Sequence, residues 1–450
     1  MKGLSSHTSL VGYSIGMKIA ILGYGEQGRS AYEYWNKPGN EITVCDQNES
    51  VILPDDVKKQ MGPDHLNGLG QFDLIVRSPI VHPSNIVAAN LPEILSKVTT
   101  VTNEFMKVCP TKNIIGVTGT KGKGTTSTLI AKILEADGKT VHLGGNIGIA
   151  PLDLLKNNIK PEDYVVLELA NFQLIDLKNS PHIAVCLMVV DEHLDWHKDI
   201  EEYITAKQQL FLRQTPDDIA IYYGLNDYSQ HIAGVSPGHK LPYMKHPGAD
   251  VIEGVVTIDG QTICKTEELK LLGKHNWQNV CAAVTAVWQV TQNIEAIYSV
   301  LTTFVGLPFR IELRKKIEGM SFYNDSFASQ PSATIAAIEA IHEPKVLIIG
   351  GQDRMLDLAD LAKALQSSKS IRSVILIGES AARTSQTLEK QSFENFELSS
   401  VKDMESIVKL AQSKAKKGDA VVLSPGFPSF DMFKNFEDRG NQFNTVVDKL

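Results

Sequence analysis

Short runs of consecutive apolar residues alternate along the chain with longer stretches in which apolar residues recur every three or four positions. The short runs have the length of buried strands, whereas the longer stretches have the period of amphipathic helices. The clearest strand-like runs cover residues 18–22, 42–45, 74–76, 114–117, 164–167, 183–190, 346–349, 373–377 and 420–423. This alternation predicts an α/β fold built on parallel sheets.

The strand-like runs fall into three blocks, and a chain of 450 residues exceeds what one hydrophobic core normally organises. We therefore predict three α/β domains, at residues 1–106, 107–305 and 306–450. Met17 directly precedes the first strand-like run, so residues 1–16 are expected to be a dispensable extension or the product of a misplaced start.

The bulk composition excludes several classes of protein. The five cysteines are scattered without a CxxC pair, which is typical of reduced thiols in a cytoplasmic protein. The longest apolar run, at residues 183–190, is far shorter than the roughly 18 residues that a membrane helix needs. The net charge of −8 disfavours a nucleic-acid partner. We expect a cytoplasmic protein with neither a nucleic-acid nor a membrane partner.

A glycine-rich loop is the strongest chemical signal in the sequence. Residues 116–126 read GVTGTKGKGTT, follow a strand-like run and lead into an amphipathic stretch that ends before Gly138. In such a strand–loop–helix unit, backbone N–H groups and the helix N-terminus attract phosphate, and the lysine reaches the outer phosphates. The predicted ATP contacts are Gly119, Thr120, Lys121, Gly122, Lys123, Gly124, Thr125 and Thr126.

The residue after the loop lysine departs from the usual pattern. Gly124 follows Lys123, where a serine or threonine normally binds Mg²⁺, so Thr125 or Thr126 is the expected substitute.

A second glycine motif lies near the N-terminus. Gly23, Gly25 and Gly28 form a GxGxxG pattern, and Asp46 ends the next strand-like run, which on spacing alone is a dinucleotide fingerprint. It indicates an alternative function, a nicotinamide-binding oxidoreductase or redox-sensing regulator. That alternative leaves the loop at residues 116–126 unexplained.

Further motifs resemble the Mur ligase and folylpolyglutamate synthase superfamily, and most of them its glutamate-adding Mur branch. They are GGNIG at 144–148, ELANFQ at 168–173, DEHLD at 191–195, GKHNWQN at 273–279, GLPFR at 306–310, NDS at 324–326, SP at 424–425 and FKNFEDRG at 433–440. The resemblance covers nearly the whole chain. The GKGT ending of the phosphate loop is similar to the folate branch, so a folylpolyglutamate synthase is the nearest rival.

This resemblance implies a Rossmann-like N-terminal domain that binds UDP, a P-loop ATPase-like central domain and a Rossmann-like C-terminal domain that binds glutamate. It implies an ATP-dependent ligase that adds glutamate to UDP-N-acetylmuramoyl-L-alanine through an acyl phosphate, in peptidoglycan precursor synthesis. The expected cofactors are two Mg²⁺ ions, and the expected partners are the three small-molecule substrates. We expect a monomer.

The resemblance also implies the roles of individual residues. It assigns catalysis to Lys123, Glu168, His193 and Lys207. The metal would be held by Thr125, Glu168, His193 and Lys207, the last as a carbamate formed with CO₂. Further ATP contacts would be Asn276, Asn279, Arg310 and Asp325. The UDP-precursor contacts would be Gly25, Glu26, Gln27, Asp46, Ser78, Asn146 and Gln173.

Glutamate would be bound by Ser329, Arg354, Ser429 and Phe436. The sequence departs from the pattern in this region, because Phe309 and Phe327 stand where relatives carry histidine and lysine, and Ser329 stands in place of threonine. These departures leave the stereochemistry of the glutamate open, with D-glutamate as the expected substrate.

Overall fold

The computed structural model describes residues 16–55, 57–191 and 196–450. The chain divides into two compact units. The first contains the described chain up to Ile252 together with Val256–Ile263 and Cys281–Ile297, and the second contains Glu253–Val255, Cys264–Val280 and Tyr298–Leu450. The boundaries of the three domains stay a prediction.

The first unit begins with a five-stranded parallel sheet of strand order β3-β2-β1-β4-β5. Its strands are β1 Lys18–Leu22, β2 Glu41–Asp46, β3 Lys58–Met61, β4 Leu74–Arg77 and β5 Val98–Thr99. Its helices are α1 Glu26–Trp35, α2 Pro83–Ala89 and α3 Val101–Val108. The strand order reverses direction between β1 and β4, and ligands of such sheets bind at the carboxyl ends of the strands at this point.

The second sheet of the first unit has six parallel strands in the order β11-β10-β9-β6-β8-β7. Its strands are β6 Ile114–Thr118, β7 Val141–Gly145, β8 Tyr164–Glu168, β9 Ile183–Cys186, β10 Ile219–Tyr223 and β11 His239–Tyr243. Its helices are α4 Lys123–Ala136, α5 Pro151–Leu154, α6 Asn171–Leu174, α7 Ile200–Gln208 and α8 Asp227–Gly234.

A single cluster of buried apolar side chains runs through both of these sheets. It includes Trp35 and Phe105 from the helices of the first sheet and Leu169 and Phe211 from the second. Burying a large apolar side chain stabilises a fold by about 1.5–3 kcal/mol, so the two sheets stabilise one another through this cluster.

Smaller elements follow along the chain. A three-stranded sheet is formed by β12 Asp250–Ile252, β13 Val255–Ile258 and β14 Gln261–Lys265. Two helices come next, α9 His275–Trp288 and α10 Ile294–Leu301. No helix within the described ranges is long and apolar enough to cross a bilayer.

The second unit is built on a six-stranded sheet of order β15-β16-β20-β17-β18-β19, in which β15 is antiparallel to β16 and the other neighbours are parallel. Its strands are β15 Glu312–Ile317, β16 Met320–Asn324, β17 Lys345–Gly350, β18 Ile371–Ile377, β19 Phe396–Leu398 and β20 Ala420–Leu423. Its helices are α11 Pro331–Ala340, α12 Ala359–Ser367, α13 Ala381–Lys390, α14 Met404–Lys414 and α15 Phe436–Lys449.

The prediction of an α/β fold with parallel sheets is confirmed, with one correction. The run at 183–190 is not one strand, because β9 ends at Cys186 and the chain then follows the glycine-rich loop. The Thr120 N–H donates to the Met188 carbonyl at 2.9 Å, and the Val190 N–H donates to Thr120 Oγ1 at 3.1 Å. Residues 187–190 therefore run along this loop and do not extend the sheet.

Candidate active site

The loop between β6 and α4 requires glycine at two positions. Gly119 and Gly122 have φ values of +147° and +85°, which L side chains rarely adopt. A Cβ on Gly119 would also lie 2.6 Å from the Cβ of Leu187. The loop can therefore follow this tight path only because these residues lack side chains.

The N-terminus of α4 is suited to bind an anion. Gly122 caps the helix without a side-chain hydrogen bond, and the first turn contains no acidic residue. Backbone N–H groups and the positive end of the helix dipole consequently face the loop without a competing carboxylate. Lys123 adds a cation there, since its Nζ donates to the carbonyls of Gly119 and Thr120 at 3.1 Å each.

A buried carboxylate lies on the neighbouring strand. Glu168 ends β8 and pairs in register with Val117 of β6, directly before the loop. Only 4% of Glu168 is exposed, and its Oε1 accepts a hydrogen bond from Asn146 Nδ2 at 2.9 Å. The close approach depends on Gly145, whose Cβ would lie 2.2 Å from the Glu168 carbonyl oxygen. The structure thus brings the predicted residues Glu168 and Asn146 together.

Helix α7 packs against the loop from another side. Lys207 is fully buried, and its Nζ donates to the Gly119 carbonyl at 3.2 Å and lies 4.4 Å from the centre of the Tyr203 ring. The Tyr203 hydroxyl is 2.9 Å from Thr120 Oγ1. From the sequence alone, Lys207 would be interpreted as a surface lysine of a helix. Its full burial shows that this interpretation is wrong.

Among the described residues, some buried side-chain atoms of the second sheet and its helices are unpaired. Thr118 Oγ1 at the end of β6 and Gln173 Nε2 on α6 have no hydrogen-bond partner within the part of the chain that is described. Gln173 Oε1 accepts from the Ala170 N–H at 3.0 Å, which fixes the direction of the amide. An unpaired buried donor or acceptor costs about 1–3 kcal/mol, so such atoms are suited to meet a ligand.

The predicted ligand His193 lies outside the described residues, as do its neighbours at 192, 194 and 195.

Sequence reasoning overlooked His197, which is buried beside Phe172 and Trp196. His197 Nε2 lies 2.7 Å from Asn171 Nδ2, and His197 Nδ1 lies 3.3 Å from Glu202 Oε2. Desolvation lowers the pKa of His197, and the Glu202 carboxylate opposes this shift. In the sequence, Asp199 and Glu202 have the spacing of a helix N-cap residue and the acidic residue three positions after it. This pattern was the available signal for Glu202.

The N-terminal glycine motif forms a second candidate site in the first unit. Gly28 packs so closely that a Cβ there would lie 2.1 Å from the Gly23 carbonyl oxygen. Asp46 Oδ2 accepts from the Tyr24 N–H at 2.8 Å, and Ser78 Oγ donates to the Gly23 carbonyl at 2.9 Å. Asp46 and Ser78 therefore both bind the turn that follows β1, at the carboxyl ends of the strands of the first sheet.

The remaining candidates of this motif differ in exposure. Gly25 precedes α1 and Glu26 begins it, and both are exposed. Gln27 Oε1 is buried and has no partner among the described groups. Gln27 is therefore the candidate of this site whose side chain most needs a ligand.

In the second unit, Asp325 is buried at the end of β16. It accepts hydrogen bonds from Ser424 Oγ at 2.7 Å and from the Ile311 N–H at 3.1 Å. Desolvation nevertheless raises its pKa to about 7, against the opposing effects of these donors and of Arg310 and Arg439.

Arg310 contacts an aromatic cluster. Its guanidinium carbon lies 3.6 Å from the centre of the Phe327 ring, a cation–π geometry. The Phe327 ring meets the Phe436 ring edge to face at 5.0 Å, and Phe436 meets Phe309 at 6.2 Å. The structure therefore links Arg310, predicted for ATP, with Phe436, predicted for glutamate, through Phe327.

The other candidates of the second unit are placed as follows. Asn279 Nδ2 donates to Asn276 Oδ1 at 2.8 Å at the start of α9. Ser329 and Arg354 are exposed, whereas Ser429 is buried. Exposure leaves Arg354 available to a charged ligand.

These features define a class of protein. A parallel α/β unit with a glycine-rich loop, a loop lysine and a buried carboxylate on the adjacent strand is typical of proteins that bind nucleotide phosphates.

Known proteins define the family. Residues 117–287 match the Mur ligase middle domain, and residues 309–427 match the glutamate ligase domain of Mur ligases. The UDP-N-acetylmuramoylalanine–D-glutamate ligase of Clostridium tetani is 33% identical over 448 residues, which cover 96% of this chain and 97% of the relative. The ligase of the same name from Acetivibrio thermocellus is 35% identical over 460 positions, covering 96% of each chain.

A solved structure agrees in fold. The MurF ligase of Thermotoga maritima in complex with ADP superposes with a TM-score of 0.59 at 17% identity, covering 96% of each chain. The chain therefore belongs to the Mur ligase family of ATP-dependent amide ligases, and its relatives at 33–35% identity are D-glutamate-adding members of that family. The family membership expected from the sequence motifs is confirmed.

Proposed function

We propose that the chain uses ATP to join the amine of D-glutamate to the alanyl carboxylate of UDP-N-acetylmuramoyl-L-alanine. The observation that carries the proposal is the convergence of Lys123, Glu168 and Lys207 on one glycine loop. The curated relatives carry the name of this activity, which favours D-glutamate over L-glutamate and a muramoyl acceptor over a folate. They likewise disfavour a nicotinamide-dependent oxidoreductase.

The proposed reaction has two steps. A carboxylate oxygen of the acceptor attacks the γ-phosphorus of ATP, and ADP leaves. The amine of glutamate then attacks the acyl carbon of the acyl phosphate, inorganic phosphate leaves, and the amine releases a proton. Positioning and charge neutralisation supply most of the rate in phosphoryl transfer, because the protein forms no covalent bond with the substrates.

The first unit supplies the groups that hold phosphate. Residues Gly119–Thr126 would surround the β- and γ-phosphates with N–H groups, and Lys123 would turn from the loop carbonyls to the phosphate oxygens. Arg310, Asp325, Asn276 and Asn279 are proposed as further ATP contacts, Arg310 with the phosphates and the two asparagines with the adenine and ribose. A preorganised cation stabilises the charge that develops in the transition state.

Magnesium suits the oxygen ligands near this loop. Glu168 offers a buried carboxylate, and Thr125 is a buried hydroxyl in the first turn of α4. We propose Thr125, Glu168, His193 and Lys207 as the residues that hold up to two Mg²⁺ ions. When bound, the metal neutralises phosphate oxygens during transfer.

Lys207 would take part as a carbamate, in which its Nζ bonds to the carbon of CO₂ and releases a proton. This change replaces a positive group by a negative one. The proposal is supported by the full burial of Lys207 and by its Nζ lying 3.2 Å from a loop carbonyl.

Two further sets of residues would hold the other substrates. The precursor is proposed to contact Gly25, Glu26, Gln27, Asp46, Ser78, Asn146 and Gln173. Glutamate is proposed to contact Ser329, Arg354, Ser429 and Phe436, where the guanidinium of Arg354 could bind a carboxylate in a bidentate manner. A monomeric state and a cytoplasmic location stay predictions.

Phosphate release tests the proposal directly. The purified chain receives ATP, Mg²⁺, bicarbonate and UDP-N-acetylmuramoyl-L-alanine, together with either D- or L-glutamate. We expect phosphate release and the amide product with D-glutamate only. A parallel assay with a folate and glutamate, and a titration with NADH, test the two rivals. Failure to hydrolyse ATP with the muramoyl precursor and either glutamate would overturn the proposal.

A further inference from the structure

Glu202 occupies a junction between the two parallel sheets of the first unit. Its Oε2 lies 3.3 Å from His82 Nε2 and 3.3 Å from His197 Nδ1, and it accepts from the Lys198 N–H at 2.9 Å. His82 follows β4 of the first sheet, whereas His197 and Glu202 belong to the segment around α7. A single carboxylate thus joins elements of both sheets.

The three side chains have the spacing of a metal site but not its chemistry. The ligand atoms of His82, His197 and Glu202 all lie within 4.8 Å of one another. His82 Nδ1, however, accepts from the Ser84 N–H at 3.1 Å, and His197 Nε2 accepts from Asn171 Nδ2 at 2.7 Å. Each ring therefore carries its proton on the nitrogen that faces Glu202, and no lone pair is left there for a cation.

The same arrangement makes Glu202 a hydrogen-bond acceptor for two imidazole N–H groups. At 3.3 Å both contacts are long for hydrogen bonds to a charged oxygen, but each still directs its ring toward the carboxylate. His82 is also the N-cap of α2, so its ring has a fixed position relative to the first sheet.

The segment at residues 78–81 is anchored at both of its ends. Arg77, before it, donates to the carbonyls of Ser78, Pro79 and Val81 and pairs with Asp176 of the second sheet. His82, after it, reaches Glu202. This segment contains Ser78, a proposed precursor contact.

The other connections of Glu202 lead to the phosphate loop. His197 orients Asn171, which lies three residues after Glu168. Tyr203, the residue after Glu202, lies at hydrogen-bond distance from Thr120, and Lys207 on the same helix reaches Gly119. Tyr203 and Lys207 contact the loop directly, so a change at Glu202 should act on the segment at 78–81 rather than on the phosphate loop.

We propose that Glu202 is a positioning residue that keeps the precursor segment 78–81 in register with α7 and the phosphate loop. It acts through His82 and His197 and touches no substrate itself. The role rests on the proposed function, because it concerns the muramoyl precursor of that reaction.

Two variants separate positioning from general stability. Glu202→Gln removes the charge that gathers the two rings. His82→Asn removes the imidazole that contacts Glu202 but keeps a good N-cap residue for α2. Glu201→Gln is the matched control, since Glu201 is exposed in the same first turn of α7.

We expect Glu202→Gln and His82→Asn each to raise the KM for the muramoyl precursor by about tenfold, with the KM for ATP changed by less than about twofold. The double variant should raise the precursor KM no further than the more severe single variant does, because both changes break the same contact between His82 and Glu202. Glu201→Gln should leave all constants within about twofold.

Calorimetric binding of the precursor without ATP should show the same weakening, which separates this role from an effect on chemistry. An unchanged precursor KM, additive losses, or an equal effect of Glu201→Gln would overturn the role. If Glu202→Gln does not fold, His82→Asn and its melting temperature decide the question alone. Absence of turnover in the unmodified chain would instead overturn the proposed function, while precursor binding still tests Glu202.

Discussion

Arg77 and Asp176 form a bidentate ion pair that joins the two parallel sheets of the first unit. The distances are 2.8 Å from Arg77 Nε to Asp176 Oδ2 and 2.6 Å from Nη2 to Oδ1. The arginine is fully buried, and its other N–H groups donate to backbone carbonyls, including that of Phe172 at 3.0 Å. The pair therefore fixes the end of β4 against α6, next to both candidate sites of this unit.

Removing the acid of this pair should destabilise the protein markedly. Asp176→Asn leaves a buried guanidinium without its counter-charge, and breaking a buried pair costs about 3–5 kcal/mol. Because 23% of the Asp176 side chain is exposed, we expect the free energy of unfolding to fall by about 2–3 kcal/mol. Urea unfolding of the full chain at constant pH measures the change.

An exposed pair in the same unit serves as the control. Glu33 and Lys156 are more than half exposed. Glu33→Gln should change the free energy of unfolding by less than about 1 kcal/mol. Equal losses of unfolding free energy in Asp176→Asn and Glu33→Gln would show that the buried Arg77–Asp176 pair stabilises the fold no more than an exposed pair does.

The loop lysine should be essential for turnover and dispensable for folding. Lys123→Met keeps the length of the side chain but removes its charge from the phosphate loop. We expect ATP turnover to fall by about a hundredfold to a thousandfold, the usual effect of losing one group that stabilises the transition state. The melting temperature should stay the same. Phosphate release and a thermal scan are the two measurements.

Lys132 provides the comparison for this variant, since it lies on the same helix but is exposed. Lys132→Met should retain turnover within about twofold. Comparable losses in the two variants would contradict the assignment of Lys123 to the phosphates.

The sequence predicts best what depends on near neighbours. Each of the nine predicted strand runs falls on a strand of the sheets, although β3, β7 and β10 were not predicted. The loop before α4 was predicted correctly, because a strand pattern, the glycines and Lys123 all lie within a dozen residues. The strand at 183–190 was predicted too long, since an apolar run does not reveal whether it pairs in a sheet or packs around a loop.

Long-range contacts set the limit of such predictions. Lys207 and Gly119 are 88 residues apart, and His82 and Glu202 are 120 residues apart. No local pattern indicates that Lys207 is buried or that Glu202 collects two histidines. These facts depend on how the second sheet brings α7 to the loop, which only the folded chain shows.

The buried carboxyl of Asp325 should make stability depend on pH. Its pKa is raised from 3.8 to about 7 in the folded chain. Between about pH 4 and pH 7 the folded state holds a proton that the unfolded state has lost. The stability that this group contributes is thus fully present below about pH 4 and is lost as pH rises through 7. The loss approaches about 1.4 kcal/mol per pH unit inside that window.

The variant Asp325→Asn isolates this effect. The difference in free energy of unfolding between the variant and the unmodified chain, measured without nucleotide from pH 5 to pH 8, should shift in favour of the variant as pH rises. Asp448 gives the opposite sign, because hydrogen bonding to Arg314 lowers its pKa. Asp448→Asn should therefore lose stability relative to the unmodified chain as pH rises from the lowered value to the ordinary value of 3.8, and the difference should stay constant between pH 5 and pH 8. A difference that does not vary with pH for Asp325→Asn would contradict a raised pKa.

Phe327 should orient Arg310 for the nucleotide. The guanidinium lies over the ring at 3.6 Å, and the ring is held in turn by Phe436. A cation–π contact at a partly exposed site contributes about 0.5–1 kcal/mol, and stacking also restricts the long arginine side chain before the nucleotide arrives. Phe327→Leu keeps the apolar volume but removes the aromatic face. We expect the KM for ATP to rise by about two- to fivefold, with the melting temperature nearly unchanged.

Two comparisons make this prediction specific to the ring. Phe327→Tyr keeps an aromatic face and should retain the KM for ATP of the unmodified chain. Phe430→Leu changes an exposed phenylalanine of the same unit and should have no effect. Steady-state kinetics with varied ATP at saturating precursor and glutamate give the values. If Phe327→Leu leaves the KM for ATP unchanged, Arg310 is oriented by other contacts and the ring serves only to cover Phe436.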